Sequence, residues 1–462
     1  MSETSNTLSD TQGMDAEEVR AVLLADIHEA LADRDTRWLS RTLARMHPAD
    51  ASDTLEQLSG DDFSAVVALL GPELPAEILI ELRDEYREDA VDLLPDAAVS
   101  AALGDLTSDD ATAILEDVEE ERRGRLLQDL APQDRAPLER ALDFDEETAG
   151  RLMQREFVAA PEFWTVGHTI DHARNTGEAL PEHFFSIYVV DPAFKVLGFV
   201  SLSTLLRTPR EVKLFDIMEE IVAEIKTGMD QEEVAFLFQK YSLASAPVVD
   251  EGGRITGMIT VDDMVHVIQD ENTEDLLALS GVLSADGSDT VLDAVKARAP
   301  WLGVNLFTAF LASAIISLFT AVLDSNVAIA ILMPVVAALG GNAGSQALAV
   351  TVRAIAEREM EGAAARRAIL REFLTGLSNG GLFAIGVGTL SWLWFGDIQL
   401  SIAISAAIFA TFVWGGLGGI LIPLGMKRIG VDPAVASSVF LLTLTDIVAF
   451  FSFLGLATLI ML

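Results

Sequence analysis

Five stretches of this chain, residues 301–323, 327–352, 373–396, 398–426 and 434–462, contain a single ionisable group among them, Asp446. Each reaches or exceeds the ~20 residues an α-helix needs to cross a bilayer. Inside hydrocarbon every backbone polar group must be satisfied internally, so the last third of the chain is constrained to a bundle of helices. Asp446 then stands out. A carboxylate at mid-bilayer depth costs at least about 2.5–3.5 kcal/mol and normally faces a bundle interior or a water-filled path. The position reads first as part of an ion or proton route, with a hydrogen-bonded packing Asp as the competing reading.

Charge divides the molecule into two parts. Residues 298–462 carry eight Lys and Arg and eight Asp and Glu, so the whole net charge of −40 lies in the first 297 residues. Such an acidic field repels nucleic acid and attracts cations, which excludes DNA or RNA as partners. Arg298, the loop with Arg353, Arg358, Arg366, Arg367 and Arg371, and the pair Lys427 and Arg428 fall on one side of the membrane, while Asp324 and Asp397 fall on the other. By the positive-inside rule the basic side is cytoplasmic. The acidic N-terminal part is therefore expected in the cytoplasm and the C-terminus outside. The opening residues, MSETSNTLSDTQGMDAEE, have no apolar core and read as a disordered tail over residues 1–16.

Small residues crowd the spans. The third holds Gly380, Gly381, Gly386 and Gly388 and the fourth GGLGG at 415–419, a composition suited to close helix packing. In the second, Pro334 is followed by GGNAGSQ (340–346), and the sequence suggests a broken helix whose carbonyls, with Asn342, meet an ion at depth. All six histidines precede residue 298 and the chain has no cysteine. Oxygen from Asp446, Asn342, Thr443, Thr445 and the backbone is what remains, a ligand set suited to Mg²⁺, Ca²⁺ or Mn²⁺. A homodimer would bring two Asp446 carboxylates together, and a largely hydrated Mg²⁺ needs few direct ligands.

Residues 17–150 read as short amphipathic helices begun by Pro, or by Ser/Thr followed by Asp, as in HPADASDTLEQL (47–58), SGDDFSAVVALL (59–70) and TSDDATAILEDV (107–118). Their recurrence suggests a helical solenoid. A clearer duplication follows. IYVVDPAFKVLGFVSLSTLL (187–206) aligns with APVVDEGGRITGMITVDDMV (246–265) at an offset of 59, each copy reading as strand, turn, strand and helix start. This pair resembles tandem CBS domains. In that family a Gly, a Ser or Thr and an Asp at the spacing of Gly257, Thr260 and Asp263 hold a nucleotide ribose; the first copy has Thr204 where that Asp stands. The resemblance thus implies ATP at the second copy.

An acidic solenoid (17–150), two CBS domains (151–215 and 216–270), a connecting helix (271–297) and a five-helix transmembrane domain (298–462) together resemble the MgtE family of magnesium channels. The resemblance rests on RAPWLGVNL (298–306), PVVAALGGNAGSQ (334–346) and DPAVASSVFLLTLTD (432–446). It implies a homodimeric Mg²⁺-gated channel of a bacterial or archaeal cell membrane, not an enzyme. Asp446 would line the pore, with Asn342, Gly341, Pro334 and Thr443 along the ion path. Regulatory Mg²⁺ would bind Asp230, Glu232, Asp263, Glu271, Glu274 and Asp275, with His266 where the family often has another acid. Glu271, Glu274 and Asp275 share one helix face, and like charge packed against them is favourable only when cations neutralise it. A carrier for another hard divalent ion and a sensor without transport are the alternatives; an intramembrane aspartyl protease would want a second buried Asp.

Overall fold

The computed structural model describes residues 16–176, 180–181, 184–279, 281–282, 291–356, 358–360 and 362–461. His183, part of the connecting segment and all of the tail but Ala16 lie outside these residues. The chain forms two compact units that divide between Ile268 and Gln269.

The first unit opens with the expected short helices. Ser59 caps Gly60–Leu70 by accepting from Asp62 N, and Pro48 and Pro132 begin Pro48–Leu55 and Pro132–Leu142, positions where the missing N–H costs nothing. Each helix packs on one two further along: Pro48–Leu55 on Ala76–Glu81, Gly60–Leu70 on Asp84–Leu93, Asp96–Asp105 on Glu120–Asp129, and Ser108–Glu116 on Pro132–Leu142. This is the stacking of a solenoid, and it buries one continuous stripe that includes Leu39, Leu55, Phe63, Ile78, Leu103 and Ile114. Arginines tie successive turns, with Arg83 on Glu56 and Arg87 on Asp117, both at 2.6 Å.

Two three-stranded sheets follow. In the first, β1 (Ala159–Pro161) runs parallel to β2 (Ser186–Val190), which pairs antiparallel with β3 (Val196–Ser201). In the second, β4 (Ile225–Lys226), β5 (Ser245–Val249) and β6 (Ile255–Thr260) repeat that order. The repeat is residue-for-residue. Ser186 faces Ser201 as Ser245 faces Thr260, and each register shifts at the equivalent step, Val189/Val190 and Val248/Val249. The copies join through a Lys195–Arg254 bridge and a Tyr188 hydroxyl that donates to Ser245 Oγ at 3.1 Å. Equivalent glycines admit equivalent segments: a Cβ on Gly198 would meet Glu219 O at 2.5 Å, and one on Gly257 would meet Gln154 O at 2.7 Å.

The second unit holds five helices long and apolar enough to span a membrane. They are Val291–Ser317, Val327–Ala356, Gly362–Phe395, Ile398–Arg428 and Pro433–Met461. The fourth packs against the second, third and fifth, and the fifth also against the second. Three expectations are corrected. The first span does not run to residue 323: it ends at Ser317, and Thr320–Ser325 is a separate short helix. The last turn tightens, with Leu318 N donating to Ile315 O and Phe319 N to Ile316 O, an ending that apolar composition does not reveal.

The second span is not broken at Pro334 or at the glycines but continues from Val327 to Ala356. Its glycines are contact points. The Thr411 and Thr445 methyls occupy the space a Gly340 side chain would need, and a Cβ on Gly344 would lie 3.3 Å from Leu441. Gly415 and Gly419 press on the same stretch from the fourth span, so close packing, not carbonyl exposure, explains the run. Finally, residues 271–297 do not form one connecting helix. The helix Val261–Leu279 ends in a left-handed Gly281 (φ 73°), with Gly281 N donating to Ala278 O and Val282 N to Leu277 O. That pair of bonds is a Schellman stop.

Candidate functional site

In the membrane unit the contacts of Gly340 with Thr445, Gly341 with Leu442 and Gly344 with Leu441 fix the antiparallel register of the second and fifth spans. Gly341 and Asn342 therefore lie level with Leu442 and Thr443, and Asp446 lies about one turn further along the fifth span. Asp446 is 13 residues into the fifth span, about 20 Å along its axis, near mid-helix. It is half-buried, and among the described residues it has no hydrogen-bond or ion-pair partner. Asn342 is exposed on the second span, as is Pro334, two turns further toward the helix start. By the same register Pro334 and Asn342 lie about one turn to either side of the Asp446 level. Thr443 spends its hydroxyl on Val439 O at 2.7 Å. Thr445 is fully buried, and its Oγ1 lacks a partner among the described residues. The arrangement leaves one bare carboxylate and one amide at mid-depth, open on the side no part of this chain covers.

A second acidic centre lies in the first unit, and sequence reasoning found only part of it. The start of Val261–Leu279 brings Asp262 and Asp263 to the start of the solenoid helix Ser108–Glu116, which carries Asp109 and Asp110. Burial pushes the Asp109 carboxyl well above the ordinary carboxylate range, and the charges of Asp263 and Asp110 push it further. Asp109 Oδ1 is sealed from solvent with no hydrogen-bond partner among the described residues. Burial likewise raises Asp110, with Asp262, Glu81 and Glu156 adding repulsion against the lowering bond from Thr107. Asp263 is pushed up to about 6 by burial, offset in part by the Thr260 hydroxyl that donates to its Oδ2 at 2.6 Å.

Holding such acids together unneutralised is unfavourable, and an orphaned buried carboxylate oxygen fits a cation. Among the described residues no three Asp, Glu or His side chains converge tightly enough to chelate one ion. The donor set therefore suits a metal that keeps most of its water, as Mg²⁺ does. The DD pairs at 109–110 and 262–263 were the available signal; nothing local to either pair says that the two helix starts meet. They are brought together by the segment joining solenoid to sheets, where Glu156 Oε2 accepts from Ser108 N and Ser108 Oγ, and Arg151 reaches Glu116 at 3.1 Å.

The other residues expected to bind regulatory Mg²⁺ fall in two places. Asp230 caps Gln231–Tyr241 by accepting from Glu232 N at 2.9 Å. Glu271, Glu274 and Asp275 belong to the second unit, on the last turns of Val261–Leu279. Just beyond them Ala278 is buried against Leu348 and Val352 of the second span and Ala434 and Leu441 of the fifth. The acidic helix end therefore presses on the two spans that carry Asn342 and Asp446. Of the nucleotide residues, Gly257 is accounted for by the close approach of Met153 and Gln154. Thr260 and Asp263 form a hydrogen-bonded pair whose counterpart in the first copy is Ser201 and Thr204 at 2.9 Å.

Five apolar helices, a CBS-type pair of sheets and an acidic solenoid define a multi-pass membrane protein with a large N-terminal half outside the spans. Comparison with known proteins gives the family. Residues 333–456 match the model "Divalent cation transporter", residues 46–147 the "MgtE intracellular N domain" and residues 214–270 the CBS domain. The chain is 32% identical over 454 residues to the "Magnesium transporter MgtE" of Thermus thermophilus, covering 95% of this chain and 98% of that one. It is 28% identical to the Bacillus subtilis protein of the same name, covering 93% and 95%. A solved structure described as the cytosolic domain of the Mg²⁺ channel MgtE in complex with ATP covers 53% of this chain at 34% identity, with a TM-score of 0.49. The chain belongs to the MgtE family.

Proposed function

We propose that the protein is a homodimeric Mg²⁺ channel that imports Mg²⁺ across the cell membrane and closes when Mg²⁺ binds its acidic cytoplasmic half. The observation that carries this reading is Asp446, a carboxylate without a partner among the described residues, at mid-depth in an otherwise uncharged span and about one turn from the level of Asn342. A carboxylate kept there has a functional rather than a packing role. A second copy would double it, and two carboxylates with two amides are enough for an ion that crosses largely hydrated. The relatives named magnesium transporters support Mg²⁺ as the cargo.

Gating follows from electrostatics. Asp109, Asp110, Asp262 and Asp263 repel one another, as do Glu271, Glu274 and Asp275. Cations that neutralise these groups favour the packed arrangement, and a ligand shifts an equilibrium by its differential affinity for the two states. The contact of Ala278 with the second and fifth spans is the mechanical link to the pore. With the Arg-rich loops inside, the sensor sits in the compartment into which the ion flows. ATP at Thr260 and Asp263 would share Asp263 with the acidic centre and so be coupled to Mg²⁺. A second reading, a channel for another hard divalent ion, is favoured by the broader family description and the all-oxygen ligand set. Flux into proteoliposomes tests both. Saturable Mg²⁺ entry that exceeds Mn²⁺, Ca²⁺ and Co²⁺ entry supports the first reading, and no Mg²⁺ entry refutes it.

A further inference from the structure

The third and fourth spans come close where glycine meets backbone: a Cβ on Gly416 would lie 2.9 Å from Glu372 O, and one on Gly376 2.9 Å from Phe412 O. Toward the Arg-rich end the two helices leave a groove of about 260 Å³, lined by Arg366, Ile369, Leu370, Phe373 and Leu417. Its chemistry is ordered along the helix. Residues three, four and seven beyond Arg366 lie on its face, which places the guanidinium roughly 5–10 Å nearer the membrane surface than the apolar floor. Arg366 and Arg367 are exposed and have no ion-pair partner among the described residues, whereas Arg371 lies 3.4 Å from Glu372. Lys427 and Arg428 end the fourth span on the same side. The Arg366 guanidinium above an apolar trough, with no acid in the lining, matches a phosphate headgroup followed by an acyl chain.

We propose that this groove binds an anionic phospholipid, its phosphate on Arg366 and one acyl chain along Ile369, Leu370, Phe373 and Leu417. Basic recesses between membrane helices recognise acidic headgroups in this way, each guanidinium adding roughly fivefold to binding. The site is independent of the transported ion, and its test needs no flux measurement. The full chain in detergent is titrated with phosphatidylglycerol or phosphatidylcholine, and retained lipid is counted by native mass spectrometry. The wild type is expected to retain phosphatidylglycerol at least about fivefold better. Arg366→Gln should remove that preference. Leu417→Trp, which fills the groove and keeps every charge, should remove the bound lipid. If Arg366→Gln does not fold, Leu417→Trp and Leu370→Trp give the same readout. Equal retention of the two lipids, or phosphatidylglycerol retention unchanged in the groove-filling variants, would overturn the proposal. So would a disulfide between two copies of Leu370→Cys, read in a chain with no native cysteine, because the second copy would then cover the groove.

Discussion

The acidic centre of the first unit makes a quantitative prediction through Asp109→Asn, which keeps the side-chain shape and removes one charge. Asp263, pushed up to about 6 from 3.8 chiefly by burial and in part by the charges of Asp262 and Asp110, measures how strongly this centre opposes ionisation. At 1.36 kcal/mol per pKa unit the opposition at neutral pH has a ceiling of about 3 kcal/mol. Because burial and then the charges of Asp263 and Asp110 oppose ionisation of Asp109 in the same way, replacing it by a neutral amide is expected to relieve on the order of 1–2 kcal/mol. The assay is hydrogen exchange on the full chain in detergent, followed over 108–116 and 255–268 with EDTA or millimolar Mg²⁺. Without Mg²⁺ the variant should exchange about 5- to 30-fold more slowly than wild type, and Mg²⁺ should add less protection to it. The pH dependence has a definite sign. Asp109, Asp110 and Asp263 have native pKa values above their ordinary ones, so the folded arrangement holds protons that the opened one releases. Stability is then gained as pH falls through about 6 and lost as pH rises through it. In EDTA, protection should be greater at pH 5.5 than at pH 7.5 after correction for intrinsic exchange, and Mg²⁺ should matter more at pH 7.5. Faster exchange in Asp109→Asn, or an unchanged Mg²⁺ increment, would refute the reasoning.

Gly340→Val should place methyl groups into the Thr411 and Thr445 side chains and cost about 1–3 kcal/mol by overpacking, seen as a lower Tm in detergent; an unchanged Tm would mean the spans are looser than described. Neutralising Glu271, Glu274 and Asp275 together should leave a channel that no longer closes at millimolar Mg²⁺; closure at the wild-type concentration would place the sensor elsewhere. Calorimetry with ATP should give heat for the wild type and none for Asp263→Ala, whose loss leaves Thr260 Oγ1 without its 2.6 Å acceptor; equal heats would remove the nucleotide assignment.

What could be read in the sequence depended on how local each cause is. The CBS duplication was legible to the residue because strand pairing copies register: the offset of 59 reappears in the pairings of Ser186 with Ser201 and Ser245 with Thr260. The five spans were legible because hydrocarbon imposes one solution on any long uncharged stretch. Their ends were not, since the first helix ends at Ser317 with no change in hydropathy and Gly281 stops the connecting helix through a left-handed turn. Glycine was ambiguous for a physical reason. The same absent side chain that frees a backbone at a break also lets helices touch, and at Gly340 and Gly344 the neighbours decide for contact. Asp446 was visible by isolation, whereas Asp109 was one acid among many until the fold set it against Asp263.

The central claim is that Asp446 forms the ion path, and the direct measurement is Mg²⁺ flux into proteoliposomes carrying Asp446→Asn beside wild type at matched protein density. Asparagine retains size and hydrogen bonding and removes only the charge. Flux should fall by at least about tenfold, the consequence of losing a stabilisation of ~1.4 kcal/mol or more, while the variant still elutes as the wild-type oligomer. Wild-type flux in Asp446→Asn would contradict the account.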